Sequence, residues 1–131
     1  MFKFDAVGLF VTDMEKMVCF YRDIMGMRTE WNGGAYAELF SGEMRLIMYS
    51  RENFESMVSE SFVYPKRLNG TLELSFSLPR FTDVDIEFAR VTAAGATAVF
   101  PPTDMKWGQR TSYVADPDGN LIEIGSFNKE Q

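Results

Sequence analysis

Hydrophobic and polar positions change period several times along the chain, and each change marks an element. Residues 4–11 (FDAVGLFV) alternate, with Val7, Leu9 and Val11 on one side and Ala6, Gly8 and Phe10 on the other, the two-residue period of a strand. From Met14 the period lengthens. Met14, Met17, Val18, Tyr21, Ile24 and Met25 recur at helical steps, Thr12 and Glu15 supply a capping box, and Gly26 supplies the stop. Short strands are predicted next over 27–31, 35–40 and 44–49, with the turn Ser41-Gly42-Glu43 between the last two.

The second half repeats the order. Residues 71–78 (TLELSFSL) alternate almost perfectly, with Leu72, Leu74, Phe76 and Leu78 on one face and Thr71, Glu73, Ser75 and Ser77 on a polar one. A helix carrying Val84, Phe88 and Val91 follows, capped by Thr82 with Asp85 and ending near Ala94-Gly95. Strands are predicted over 97–100, 111–115 and 121–124, and Asp116-Pro117-Asp118-Gly119 turns the last pair. Two β-α-β-β-β modules in so short a chain mean that neither half has much core of its own, so a single domain is expected. Its parts are module one at about 1–50, a connection at about 51–70 and module two at about 71–128.

The connection mixes Phe54, Met57, Val58, Phe62 and Tyr64 with charges. It reads as a short helix plus an extended arm. Its aromatics either close over a cavity or pin a solvated linker to the surface.

Composition narrows the chemistry. The chain has no histidine, so Ser-His and Cys-His nucleophilic pairs and all His-containing metal sites are excluded, and proton transfer falls to carboxylates, Lys, Tyr or the one Cys. Cys19 cannot form an internal disulfide, and it lies by helical phase near Glu15 and Arg22–Asp23. A net charge of −6 without a basic run argues against a nucleic-acid partner and tolerates a cationic small ligand. The start MFKFDAVGLF lacks the layout of a signal peptide, and no apolar run approaches the roughly 18 residues of a membrane span. No membrane partner and a cytoplasmic location are expected.

One residue is out of place. In YVADPDGNLIEI (113–124), Glu123 sits between Ile122 and Ile124 in a strand that otherwise asks to be buried. That segment, with FYRDIMGM (20–27) and RVTAAGATAVFPP (90–102), closely resembles the glyoxalase/bleomycin-resistance/dioxygenase family, also called the vicinal oxygen chelate superfamily. The resemblance covers nearly the whole chain. It implies an α+β fold of tandem βαβββ modules forming a cupped mixed sheet, with helices on the convex side and a ligand site in the concavity. It also implies that Glu123 points into the cup, where metal-using members bind a divalent ion.

Four positions carry that ion in the family. Matched residue by residue, they fall on Ala6, Met48, Glu73 and Glu123. Ala6 has no donor atom and Met48 offers only a soft thioether, so a divergent member lacking the usual ligand set is expected. Two carboxylates could hold Mg²⁺ or Mn²⁺ weakly, Glu38 could add a third oxygen, and otherwise no cofactor is expected. Without an ion, Glu73 and Glu123 need a neutralising cation, either Arg110 or Lys106 or the ligand itself. Trp107, Tyr113, Tyr36, Phe54 and Phe62 are candidate walls for a planar or cationic guest, and Met48 an adaptable apolar one.

Three functions follow. The first is a metal-free protein binding a small organic ligand, with a homodimer implied by the resemblance. The second is a lyase, epimerase, dioxygenase or thiol transferase of the same superfamily using Glu73 or Glu123 as base. The third is a module whose cup is filled by its own side chains.

Overall fold

The structure, a computed structural model, describes residues 1–129. The chain is α+β, with mixed sheets and three helices, and it divides into two compact units, Met1–Tyr64 and a second that begins at Pro65.

In the first unit β1 (Val7–Val11) leads to α1 (Met14–Cys19), which continues as wider π turns over Phe20–Ile24. β2 (Tyr36–Ser41), β3 (Met44–Ser50) and α2 (Arg51–Val58) follow. The sheet order is β1-β3-β2, with β1 parallel and β2 antiparallel to β3. Its inner face brings Leu9, Val11, Leu39, Leu46 and Met48 into a buried core with Met17, Val18 and Tyr21 of the helical segment. Burying each of these larger side chains contributes about 1.5–3 kcal/mol.

Two details of this unit differ from the sequence-based expectation. The helix is capped by Asp13, whose carboxylate accepts from the Lys16 amide at 3.1 Å, one residue after the Thr12 expected. A hydroxyl and a carboxylate side by side compete for the same role, and the acid also favours the positive end of the helix dipole. Residues 27–31 make a single bridge, Arg28 to Phe40, in place of a strand. The Thr29 hydroxyl donates to the Glu38 carbonyl at 2.7 Å and accepts from the Trp31 amide at 3.1 Å, so a side chain takes the place of the next backbone rung.

The second unit runs β4 (Asn69–Ser77), α3 (Phe81–Ala94), β5 (Thr97–Asp104), β6 (Arg110–Ala115) and β7 (Asn120–Ser126). Its sheet order is β4-β7-β6-β5, and only the β4–β7 pair is parallel. α3 packs on one face, closing Val84 and Val91 over Val114, Ile122 and Ile124. That helix starts at Phe81, earlier than the Thr82–Asp85 box predicts. Asp83 closes its first turn by accepting from the Arg80 amide at 3.0 Å, and Asp85 serves elsewhere.

Among the described residues no helix is long and apolar enough to cross a membrane.

Candidate functional site

With Ile122 and Ile124 buried toward α3, strand alternation turns Glu123 to the opposite, open face of the second sheet. The register then assembles its neighbours. Ser75 of β4 and Tyr113 of β6 lie directly opposite Glu123, and Thr111 lies two residues along β6 on the same face.

Four side chains donate to Glu123, and Glu73 stands beside it as a second acid. Ser75 Oγ reaches Oε1 at 2.8 Å, while Oε2 accepts from Thr111 Oγ1 at 2.7 Å, Gln109 Nε2 at 3.1 Å and Tyr113 OH at 3.4 Å. Gln109 in turn accepts from the Trp107 indole Nε1 at 2.9 Å. Room for the two closest donors to Oε2 comes from Gly125, next on this face of β7. A Cβ there would stand 2.9 Å from both Gln109 Nε2 and Thr111 Oγ1.

These bonds set the charge. Burial disfavours the Glu123 carboxylate, but the hydrogen bonds from Thr111, Ser75 and Gln109 outweigh it and hold its pKa below the ordinary value. Tyr113 is pushed up to about 12 by burial and then by the adjacent Glu123 and Glu73, so it stays a donor at neutral pH. Its hydroxyl also meets Glu73 Oε1 at 3.1 Å, and one phenol proton therefore serves two carboxylates.

A group whose pKa falls on folding stabilises the fold above its unfolded value, about 4.3 for Glu, and that contribution is lost as pH drops through the folded value. Glu123→Gln is accordingly expected to destabilise the protein at pH 6 and to differ much less from wild type near pH 3. Urea unfolding of both proteins across that range checks this. A difference that does not shrink on acidification would contradict the donor set as the cause.

The expected site residues separate by strand phase. Glu73, Glu123 and Tyr113 come together on the open face, and Trp107 joins through Gln109. Arg110 does not: it lies one residue out of phase, and its guanidinium binds Asp85 of α3 at 2.8 Å and Asp104 at 2.8 Å. It is therefore no partner for the two glutamates. Lys106 is exposed in the turn before β6. Gln109 and Thr111 were missed as Glu123 partners. The signal for Thr111 was its two-residue spacing from Tyr113.

In the first unit Met48 is 0% exposed, packed in the core rather than presented to a ligand. Ile47 and Tyr49 take the other face of β3. Ala6 precedes β1 and is half-buried. Glu38, a candidate third metal oxygen, is ion-paired with Arg45, which also binds Asp5 at 2.8 Å. Phe62 stacks on Phe54 at 5.6 Å, and Phe54 packs on Phe10 at 4.2 Å and Tyr49 at 5.8 Å. Glu55 pins the arm that carries Phe62, accepting from the Phe62 amide at 3.1 Å and Tyr64 OH at 2.7 Å.

Grooves lie elsewhere among the described residues. One of about 530 Å³ runs beside β2 under Trp31, and one of about 540 Å³ is bordered by Lys66, Arg67 and the 116–119 turn. Among the described residues no group of three or more Asp, Glu or Cys side chains is placed to hold a metal ion.

Comparison with known proteins adds ancestry. The family model described as Glyoxalase/Bleomycin resistance protein/Dioxygenase superfamily matches residues 3–124. The uncharacterized protein YraH of Bacillus subtilis (strain 168) is 34% identical over 122 residues, covering 90% of this chain and 93% of that one. A glyoxalase-related enzyme from Fulvimarina pelagi superposes with a TM-score of 0.81 at 23% identity, over 96% of this chain and 88% of that one. A glyoxalase/bleomycin resistance protein/dioxygenase from Nocardioides gives 0.80 at 19% identity, over 100% and 87%. At those identities the two structures speak for the fold alone.

Proposed function

The chain belongs to the Glyoxalase/Bleomycin resistance protein/Dioxygenase superfamily, and from that premise we propose that it is a metal-free binding protein. Its guest is a small organic molecule, cationic or aromatic, received on the open face of the second sheet. One observation carries this reading. Glu73 and Glu123 share that face and a single phenol proton, while Arg110, on the strand beside Glu123, is committed to Asp85 and Asp104. Two carboxylates served only by neutral donors leave uncompensated negative charge, which a cationic guest neutralises.

The family's metal does not fit the same residues. Glu123 Oε2 already accepts from Thr111, Gln109 and Tyr113, which leaves Oε1, bonded to Ser75 alone, as the oxygen open to an ion. No imidazole exists in the chain to build a Zn²⁺, Ni²⁺ or Fe²⁺ centre with nitrogen ligands. A metal-dependent lyase, dioxygenase or epimerase using Glu73 and Glu123 is the competing reading, drawn from the way Tyr113 brings the two carboxylates together.

Native mass spectrometry with elemental analysis, after dialysis against divalent metals including Mg²⁺ and Mn²⁺, separates the two. A chain that stays metal-free supports binding, and one stoichiometric ion retained by Glu73 and Glu123 overturns it. The same spectrum tests the homodimer we propose by analogy with the superfamily. For the guest, benzylammonium and benzoate share a ring and differ in charge. Benzylammonium is expected to bind more tightly by NMR titration, with Glu123→Gln weakening it about tenfold, since a hydrogen bond to a charged group is worth about 1.5–3 kcal/mol. Equal binding of both probes would sink the charge argument.

A further inference from the structure

We infer that Trp107 and Gln109 are a positioning pair that fixes the hydrogen-bond polarity of this site, so that Glu123 meets a guest as an acceptor and the site selects guests that bring donors. An indole nitrogen donates and cannot accept. With Trp107 Nε1 donating to Gln109 Oε1 at 2.9 Å, the one acceptor end of the amide is occupied. The NH₂ end then has a single direction, toward Glu123 Oε2 at 3.1 Å.

Reversing the amide would set its carbonyl against a carboxylate and its NH₂ against the indole N–H. Gln109 is 8% exposed, so water offers little relief, and buried polar groups left unpaired carry their desolvation penalty. The backbone is built for this arrangement. The Met105 amide donates to the Gln109 carbonyl at 2.7 Å, and the Gly108 amide donates to the Met105 carbonyl at 3.1 Å. Together they close the turn that folds Trp107 back beside Gln109. The missing Cβ of Gly125 leaves space for the amide where β7 passes it.

Trp107 is unusual in its exposure. Its N–H is held inside the network while the side chain is 59% exposed. A guest that covers the ring therefore touches a donor joined through one amide to Glu123. The selection of donor-bearing guests rests on the binding reading above, whereas the polarity assignment stands without any guest.

The test uses the guest-free protein, so its failure is distinguishable from a failure of guest binding. In the NMR spectrum, Glu123→Gln is expected to shift the Trp107 indole N–H resonance, because the amide between them loses its charged partner. In a Gln109→Met background the same change should leave that resonance where it was. An unmoved resonance in the first case, or a shift that persists without Gln109, overturns the inference.

Should Gln109→Met fail to fold, a double-mutant cycle decides. Trp107→Phe keeps a ring and removes the donor, which frees the amide to turn and makes Glu123→Gln less costly. The combined loss in the unfolding equilibrium constant is then expected to fall short of the product of the single losses by about threefold or more. Independent effects would refute the pair.

Discussion

Gly119→Ala is expected to lower the stability of the protein by about 3 kcal/mol or more, through two costs that add. Gly119 has φ of +90°, a conformation that L side chains rarely adopt. A Cβ there would also lie 2.2 Å from the Arg67 carbonyl oxygen, a contact with backbone that no rotamer change relieves. The position matters because the Gly119 carbonyl accepts from the Asn69 amide at 2.8 Å, which joins the entry of β4 to the turn that launches β7. Glu123 and Ser75 sit on those two strands. At a few degrees per kcal/mol for a chain of this size, the midpoint should fall by about 10 °C, measured by thermal unfolding with urea titration as a check. A loss below about 1 kcal/mol would mean that the 67–69 segment moves aside freely. Ser75 would then be less firmly placed against Glu123 than the geometry indicates.

Asp116→Ala should cost nearly as much, about 3 kcal/mol, for a different reason. The Asp116 carboxylate is buried and organises the turn. Oδ1 accepts from the Asp118 amide at 2.9 Å and the Asn120 amide at 3.0 Å, and Oδ2 accepts from Asn120 Nδ2 at 2.9 Å. Removing it leaves three donors without their acceptor, two of them on the buried Asn120, and unpaired buried groups carry the full desolvation penalty. Asp116→Asn should fall between the two proteins. Its amide oxygen can still serve both backbone donors, but its NH₂ then confronts Asn120 Nδ2. Unfolding of all three in urea checks the order wild type, Asn, Ala. If Asn were as damaging as Ala, the charge rather than the number of acceptors would be the stabilising element.

Much of this molecule was legible because the signals were local. The alternation of 71–78, the helical spacing of 84–91 and the Asp-Pro-Asp-Gly turn each depend on residues close in sequence, and each predicts the element that forms. The direction of Glu123 came from the family resemblance, and the burial of Ile122 and Ile124 on the opposite face agrees with it. Residues 27–31 misled because their apolar content resembles a strand, while one threonine hydroxyl diverts the pairing. Thr12 and Asp13 misled because both are competent caps.

Alternation determined which side chains share a face, but it could not say which face meets a helix, nor which residue of a neighbouring strand lies opposite. Matching LIMY (46–49) letter by letter with LIEI (121–124) makes Met48 the counterpart of Glu123. Pairing decides otherwise: Glu123 lies between Ser75 and Tyr113, and in the first unit the open-face position between Gly8 and Glu38 belongs to Ile47. The same single-residue phase sends Arg110 to Asp85 and gives Glu123 to Thr111. By itself, then, the sequence determined the order of elements in the second unit, and its family resemblance the side to which Glu123 turns. Only the tertiary structure decided Met48, Arg110 and the Trp107–Gln109 chain, because a strand's period is two and a shift of one residue exchanges its faces.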